Sequence, residues 1–443
     1  MKKYETYKES GINWIGKIPK VWQTIKIKFL DNSDETLFLD GDWIESKVIE
    51  DKGIRYLTTG NIGPGYYKEQ GRGFISEETF EKLNCTEVYS GDLIASRLNK
   101  PIGRACIIPD LGYRIVVAVD NVIIRPKDDF DRKYLMYVMN DSGYSSYTDL
   151  ISRGATMQRI SRGQLGRIII PAPTLKEQTQ IAKYLDHKTQ IIDALIDKKE
   201  QLIKKLQAQR QAIINEAVTK GLNKNAKMKD SGIEWLGEIP EHWEVKRTKY
   251  LLNEKDGIKI GPFGSSLKLD TLVDKGIKIY GQGNVIKDDF KLGHRYLPFE
   301  RFEESFQQYE ILGGDILVTM MGTTGKSKVF NNSFERGILD SHLLRLRFDE
   351  NLFNGDLFSI ILEQADYIFQ QISFNSVGSI MAGLNSAIIK KIKIITPPLD
   401  EQLEILEFIN EESNKIDLII SKSKTQIKKL KTYRQSIISE AVT

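Results

Sequence analysis

The residues that most strongly suggest chemistry are the glycine-rich stretch 322–327, with the sequence GTTGKS. A nucleotide-binding P-loop requires another glycine five positions before its second glycine, and Met320 occupies that position here. The corresponding place in the first half of the chain, residues 101–104, has no phosphate-loop character. We therefore interpret the stretch as a turn that presents Lys326 to a phosphate backbone, with a plain hairpin turn as the alternative.

Other catalytic patterns fail at a required position. Residues 281–284 begin like a dinucleotide-binding fingerprint, but Ile286 stands where the third glycine is needed. The proline pair 397–398 lacks the neighbours found in enzymes that methylate DNA amino groups. The histidines are isolated, the acidic residues form no nuclease-like cluster, and only His342 is retained as a candidate contact. We predict a chain that is not an enzyme; a self-contained DNA methyltransferase or nuclease is the alternative.

Several loops combine basic, amide and hydroxyl side chains, a composition suited to DNA. Arg and Lys pair with phosphates or guanine edges, and Asn and Gln match adenine edges. A solvated surface is the alternative for any single loop, but recurrence at matched positions in both halves favours binding. The candidate DNA contacts are Asn61, Arg97, Asn99, Lys100, Arg104, Arg153, Thr156, Gln158, Arg159, Arg162, Ser265, Ser266, Gln282, Asn284, Thr323, Thr324, Lys326, His342, Asn375, Ser376 and Ser379.

A long helix is predicted from Thr174 to Thr219. Pro171 and Pro173 precede it, Gly221 follows it, and no Gly or Pro interrupts it. At about 1.5 Å per residue it forms a rod on the order of 65 Å long. Its apolar residues follow heptad spacing, so it needs a partner helix of similar length. The residues predicted to pair the two helices are Ile181, Leu185, Ile192, Leu195, Leu206, Ile213, Ile405, Ile409, Ile416, Ile419, Leu430 and Ile437.

An internal repeat supplies that partner. Residues 10–22 (SGINWIGKIPKVW) recur as 231–243 (SGIEWLGEIPEHW), and residues 396–443 copy the first long helix at an offset of 224. We therefore predict that the two helices pair as an antiparallel coiled coil with a pseudo-two-fold relation. The short box that opens each half contains two Trp and is interpreted as a packed connector.

The fold class predicted is mixed α+β, with two tandem α/β domains separated by the long helices. Short apolar runs such as 92–96 and 315–319 predict strands, and helical patches lie between them. The predicted segments are an N-terminal box (1–22), a first variable domain (23–170), the central long helix (171–221), a linker with the second box (222–243), a second variable domain (244–395) and the C-terminal long helix (396–443).

The composition is that of a globular protein and argues against a membrane-spanning, secreted or metal-binding chain. The 443 residues are 40% hydrophobic and 28% charged, with a net charge of +4 that permits nucleic-acid binding without requiring it. There is no apolar run of about 18 residues to span a membrane and no apolar signal core. Two cysteines and four scattered histidines make neither a disulfide framework nor a metal site, so we expect a cytoplasmic protein.

The SGIxWxGxIPxxW boxes, the (P)xPxLxEQ starts of the long helices and the divergent domains between them resemble one family over nearly the whole chain. It is the DNA-specificity subunit of type I restriction-modification systems. The resemblance implies target recognition domains, each of which contacts one half of a bipartite, asymmetric sequence in double-stranded DNA. The chain would be the non-catalytic specificity subunit of a multi-subunit endonuclease and adenine methyltransferase.

The resemblance also implies partners and their cofactors. Modification (methyltransferase) subunits, two of them expected, and restriction (translocase-nuclease) subunits would dock on the long helices. S-adenosylmethionine, ATP and Mg²⁺ would serve those partners, and this chain would bind none of them. A coiled-coil scaffold that holds proteins without touching DNA is the alternative.

Overall fold

The computed structural model describes residues 4–31, 36–154, 157–233, 236–262, 266–376 and 384–443. The fold is mixed helix and sheet, as predicted. The chain divides into two compact units: a first unit of Met1–Glu200 with Lys424–Thr443, and a second unit of Gln201–Ser423. None of the helices in the described ranges combines the length and apolar content that crossing a bilayer requires.

The first unit consists of short strands and helices followed by the start of a long helix. Its strands are β1 (Tyr7–Glu9), β2 (Lys17–Pro19), β3 (Gln23–Lys26), β4 (Leu37–Asp40), β5 (Ile54–Leu57), β6 (Phe74–Ile75), β7 (Leu93–Ser96), β8 (Ala105–Ile107), β9 (Ile115–Val117), β10 (Asn121–Arg125) and β11 (Ile169–Ala172). Its helices are α1 (Glu77–Lys82), α2 (Arg132–Val138), α3 (Ser142–Ile151), α4 (Arg162–Arg167), the part of α5 (Leu175–Lys220) that ends at Glu200 and the part of α11 (Leu399–Val442) that begins at Lys424.

Two sheets form the centre of this unit. One has the strand order β4-β10-β7-β8 and is antiparallel, and the other has the order β6-β5-β9, with β5 and β9 parallel. Both β7 and β9 are buried along their whole length, and β9 consists entirely of the β-branched residues that favour strands. Strand β3 pairs with β11, so the two ends of the domain meet beside the start of α5.

The second unit repeats this arrangement with other residues. Its strands are β12 (Met228–Asp230), β13 (Glu238–Pro240), β14 (Glu244–Arg247), β15 (Ile258–Ile260), β16 (Ile277–Tyr280), β17 (Tyr296–Leu297), β18 (Glu310–Ile311), β19 (Ile316–Thr319), β20 (Ser327–Val329), β21 (Gly337–Leu339), β22 (Leu343–Leu346) and β23 (Lys393–Thr396). Its helices are α6 (Gln282–Lys287), α7 (Phe299–Arg301), α8 (Gly355–Gln364), α9 (Asp366–Ser376), α10 (Ser386–Lys391), the end of α5 and most of α11 (Leu399–Val442).

The topology of the sheets confirms the predicted internal repeat. The order β15-β22-β19-β20 matches β4-β10-β7-β8, and the parallel pair β16 and β21 matches β5 and β9. Gln23 lies opposite Ala172 in the first unit, and Glu244 lies opposite Thr396 at the same register in the second. One fold is therefore built twice from largely different residues.

Within each unit, α5 and α11 run antiparallel and make matching polar contacts. In the first unit the Arg434 guanidinium bonds to the Asp193 carboxylate at 2.9 Å, and in the second Arg210 bonds to Asp417 at 2.8 Å. These two pairs are the same pair shifted by 224 residues in the sequence. Exposed ion pairs stabilise by only about 0–1 kcal/mol, so their main contribution is to fix the register of the two helices.

The apolar seam between the helices differs in phase from the prediction. Leu195 and Ile419 are 42% and 44% exposed, whereas their neighbours Ile196 and Ile420 are each 7% exposed. Alternating steps of four and three residues from Leu185 lead to Thr189, Ile192 and Ile196. The prediction of Leu195 in the seam was therefore wrong by one residue. Leu195 and Ile419, which were predicted to pair the helices, therefore lie outside the seam.

The other predicted pairing residues lie in the seam or at its border. Leu206 packs with Ile416 and Ile420 in the second unit, with Ile203 and Ile213 against them. The remaining predicted members are buried or, for Leu430, half-buried: Ile181, Leu185, Ile192, Ile405, Ile409, Leu430 and Ile437.

Candidate nucleic-acid interface

A tryptophan from each short box fixes the start of a long helix. The indole N–H of buried Trp243 donates to the Glu401 carboxylate at 2.9 Å. In the first unit, buried Trp22 donates to the Tyr4 hydroxyl, which donates in turn to Glu177 at 2.9 Å. Both boxes thus act as packed connectors, consistent with their interpretation from the sequence.

A buried glutamine follows each of these glutamates and joins the helix to its domain. The Gln178 amide accepts a hydrogen bond from the Asp131 N–H (2.9 Å) and donates to the carbonyls of Asp129 (3.2 Å) and Pro173 (2.9 Å). Asp131 is the N-cap of α2, so one side chain connects the starts of α2 and α5.

The second unit repeats this junction atom for atom. The Gln402 amide accepts from the N–H of Asn354, the N-cap of α8, at 2.8 Å. It donates to the carbonyls of Leu352 (3.3 Å) and Pro397 (2.8 Å). The glutamine of the EQ pair therefore sets how each domain is attached to its helix.

Arg104, a predicted DNA contact, is instead an internal support for two loops. Its buried guanidinium donates to the carbonyls of Ile62 (2.6 Å) and Thr59 (2.7 Å) in one loop. It also donates to Leu98 (3.0 Å), Asn99 (2.8 Å) and Pro101 (3.1 Å) in the other. Burial lowers the pKa of the guanidinium from its usual value. Because its donors are bonded to these carbonyls, we no longer consider Arg104 a candidate DNA contact.

Three more predicted contacts have internal roles. The amide of buried Asn61 bonds to the Thr58 N–H and the carbonyls of Lys68 and Gln70, and buried Asn284 makes the matching set in the second unit. Buried Arg97 pairs with Asp40 at 3.1 Å and donates to the Ile160 carbonyl at 3.1 Å. Their amide and guanidinium groups position loops, and residue type alone does not reveal this.

The other predicted residues of the first unit come together at one surface. The backbones of Arg153 and Arg159 bond to each other at 3.0 and 2.9 Å, and we call the described residues 153–154 and 157–161 the basic hairpin. The N–H of Asn99, which has a positive φ, donates to the Gln158 carbonyl at 3.0 Å. This bond places Asn99 and Lys100 beside the hairpin. Thr156 lies outside the described residues.

Two cations of this surface form no ion pair among the residues that the structure describes. Lys100 pairs with Asp149 at 2.7 Å and Arg162 approaches Asp40 at 3.6 Å. In contrast, the side chains of Arg153 and Arg159 are exposed and form no ion pair across the described ranges. Unpaired guanidinium groups on a surface are available to phosphates or guanine edges.

Two loops of the second unit and the start of α6 also meet at one surface. The Gln282 side chain accepts a hydrogen bond from the Met321 N–H at 3.1 Å, and the Met320 N–H donates to the His342 carbonyl at 3.2 Å. The exposed residues Thr323 and Thr324 lie in the loop that joins β19 to β20. The glycine-rich turn is thus part of a surface loop.

The charged residues of this second surface have acidic partners. Lys326 pairs with Glu363 at 3.1 Å, and His342 lies 3.5 Å from Asp340. Burial would raise the pKa of Asp340, but hydrogen bonds from Arg295 and Ser341 and the charges of Arg295 and His342 hold it below its usual value. This surface therefore offers amide and hydroxyl groups with less free positive charge than the first.

The last predicted contacts of the second half are only partly described. Ser266 is half-buried, and its carbonyl accepts a hydrogen bond from Arg301 at 3.1 Å. Ser265 and Ser379 lie outside the described residues, as do the side chains of Asn375 and Ser376.

Sequence reasoning missed Trp43, which borders the basic hairpin. The candidate contacts were basic, amide and hydroxyl residues, and an aromatic side chain belongs to none of these types. The available signal was the match between Gly41-Asp-Trp43 and Gly261-Pro-Phe263 in the repeat.

Comparisons with known proteins agree with this architecture. The profile of the type I restriction modification DNA specificity domain matches residues 19–205 and 277–429. A Methanocaldococcus jannaschii protein assigned as the type I restriction enzyme MjaX specificity subunit is 25% identical over 97% of this chain and 94% of its own length. The StySPI specificity subunit of Salmonella potsdam is 25% identical over 72% of this chain and 66% of its own.

Solved structures share the fold at low sequence identity. A chain from a structure of type I R-M complex assembly and conformational transition has a TM-score of 0.70 at 14% identity, covering 96% of this chain and 98% of that one. The HsdS subunit from Thermoanaerobacter tengcongensis has a TM-score of 0.53 at 14% identity, covering 96% and 97%. Since the family profile covers more than half of the sequence, the chain belongs to the DNA-specificity subunits of type I restriction-modification systems.

Proposed function

We propose that this chain directs its restriction-modification complex to a bipartite, asymmetric DNA sequence, with one half-site contacted by each unit. The observation that carries the proposal is one topology built twice with unlike loops. The first unit presents Lys100, Arg153, Gln158 and Arg159, and the second presents Gln282 with the threonines of its glycine-rich loop. Because base contacts depend on side-chain donors and acceptors, unlike loops select unlike half-sites.

Replacing Gln158 and Arg159 together by alanine is expected to weaken recognition of one half-site only. One good bidentate base contact contributes about 1–3 kcal/mol of discrimination, so affinity for that half-site falls roughly 10- to 100-fold. Competition binding of the assembled complex, with duplexes altered in one half-site at a time, measures the effect. A loss of discrimination at both half-sites would contradict separate recognition by each unit.

Arg114→Ala is the matched charge control for this experiment. Arg114 precedes β9, and its guanidinium is held by Glu77 and by Glu87 at 2.9 Å. The Arg114→Ala substitution removes one positive charge from the same unit, as the Arg159 substitution does, but the arginine it removes is already paired with carboxylates. We expect DNA discrimination to be unchanged in this variant.

We further propose that methyltransferase subunits, one on each unit and two in all, dock on the outer face of the long helices, with restriction subunits joining them. The supporting observation is apolar surface left outside the seam. Leu195 is exposed in the first unit, and Leu418 and Ile419 are exposed in the second. In this proposal S-adenosylmethionine, ATP and Mg²⁺ are used by the partners, and this chain is not catalytic. Methyl transfer to DNA by the isolated chain would contradict it.

Leu195→Glu should remove one docked methyltransferase subunit while the helix stays folded, because the side chain is already exposed. Ile419→Glu should remove the other, and the double variant both. The mass of the assembled complexes checks this directly. Lys198→Glu, an exposed position on the same helix, is the control for the added carboxylate. Full assembly of the double variant would place the docking surface elsewhere.

A further inference from the structure

One aromatic side chain stands out on the surface of the first unit. Trp43 is 73% exposed, whereas Trp22 and Trp243 are buried and Trp14 packs edge-on against buried Tyr144. Tryptophan side chains bury a large apolar area and are highly buried on average, so this exposure needs a reason. Trp43 lines a depression of about 420 Å³ whose other walls include Arg97, Asp120, Arg153, Arg159 and Gln164.

The backbone around Trp43 is fixed on both sides. The N–H of Asp42 donates to the Val117 carbonyl at 2.8 Å, and the Asp42 carboxylate accepts from the Thr86 N–H at 2.9 Å. On the other side, Ile44 packs against a buried apolar cluster that includes Ile54. With both neighbours held, the exposed position of the indole is a property of the fold and not of a loose loop.

The charges around the depression favour an anionic ligand. Its one carboxylate, Asp120, lies 3.9 Å from the buried Arg97 guanidinium. The guanidinium groups of Arg153 and Arg159 form no ion pair within the described part of the chain. An exposed aromatic side chain and two unpaired cations that line one depression suit a nucleotide, whose phosphates contact the cations and whose base or sugar contacts the indole.

The second half of the chain carries a matching aromatic residue in its sequence. Gly41 and Gly261 occupy the same place after β4 and β15, and a Cβ at either would overlap a backbone carbonyl, that of Val117 or that of Asp340. Two residues after each glycine the sequence has Trp43 or Phe263. Phe263 lies outside the described residues, so the correspondence rests on the sequence alone.

We propose that Trp43 packs its indole against a nucleotide of the half-site contacted by the first unit, while Arg153 and Arg159 bind the adjoining phosphates. The inference rests on the proposed function, because it assumes that this surface meets DNA. It adds an apolar contact to an interface otherwise built from charged and amide groups.

The test uses the assembled complex and two duplexes, one carrying the site identified by methylation mapping and one with that site scrambled. Trp43→Ala should lower affinity for the mapped site roughly tenfold or more, the scale of one aromatic contact with a base. The slope of log affinity against log salt should stay unchanged, since no charge is lost. Arg153→Ala should lower that slope by about 1. Tyr113→Ala removes an exposed aromatic residue that precedes β9 and should change neither quantity.

Tryptophan fluorescence gives a second readout that does not depend on a truncation. DNA binding should quench and shield Trp43 in the native chain, and this change should be absent in Trp43→Phe. Failure of the native complex to prefer the mapped site would overturn the proposed function itself. Preference in the native complex with equal affinity in Trp43→Ala would overturn only the role of Trp43. Shielding of Trp43 by the methyltransferase subunit without DNA would also overturn it, because the indole would then be a protein contact.

Discussion

Replacing Arg104 by methionine is expected to lower the free energy of unfolding of the first unit by about 3–5 kcal/mol. The substitution leaves five backbone carbonyls in two loops without their shared donor. Hydrogen bonds to a charged group stabilise by about 1.5–3 kcal/mol each, and the desolvation of the buried guanidinium offsets a large part of that sum. Denaturant unfolding measures the loss, and hydrogen exchange at residues 59–62 and 98–100 locates it.

The same variant should also lose recognition of its half-site, because one of the released loops carries Asn99 and Lys100. Arg104→Lys should not restore stability, since an ammonium is a point donor and cannot reach both loops as the planar guanidinium does. The matched control is Lys326→Met at the corresponding position of the second unit. Lys326 is exposed and has a single ion pair with Glu363, so the cost there is at most about 1 kcal/mol. Equal losses in the two variants would refute the supporting role of Arg104.

Replacing Gln178 by leucine is expected to destabilise the first unit by about 2–4 kcal/mol and to loosen α2 from α5. The Asp131 N–H and the carbonyls of Asp129 and Pro173 lose their partner, and an unsatisfied buried polar group costs about 1–3 kcal/mol. Leucine partly compensates by filling the space of the glutamine with apolar atoms. Thermal unfolding reports the loss, and faster hydrogen exchange at the start of α2 assigns it to this junction.

Gln180→Leu provides a control with the same chemical change on the same helix. Gln180 is exposed, so the change there should lie within about 0.5 kcal/mol. Gln402→Leu should reproduce the effect of Gln178→Leu in the second unit, because Gln402 makes the same three bonds. If Gln178→Leu and Gln180→Leu unfolded at the same temperature, the junction would have no energetic role.

The sequence was sufficient to predict the long helices, the internal repeat and the mixed helix and sheet domains. These features depend on periodicity, on proline and glycine positions and on repeated motifs, all of which are visible in the sequence without knowledge of tertiary contacts. The phase of the helix seam was harder, because Leu195 and Ile196 are adjacent and apolar, and either can continue a heptad. Burial in the folded chain selects Ile196.

The candidate contacts were less predictable for a physical reason. An arginine can offer its donors to DNA or to the carbonyls of its own domain, and the residue type is the same in both cases. Gly103-Arg104 and Gly325-Lys326 align in the repeat, but Arg104 is buried among carbonyls and Lys326 is exposed. Trp43 shows the opposite problem, since an apolar residue type predicts the core and the fold exposes it.

The first unit consists of two segments that are far apart in the sequence, and this affects how it folds during synthesis. Lys424–Thr443 belong to this unit, although more than two hundred residues separate them from Glu200. At about 5–20 residues per second, a ribosome needs roughly 10–45 s to make that intervening stretch. During this interval the seam face of α5, including Ile192 and Ile196, has emerged from the ribosome without the helix that covers it. We therefore expect the first domain to begin folding on the ribosome and to complete its core only after Lys424–Thr443 have also emerged.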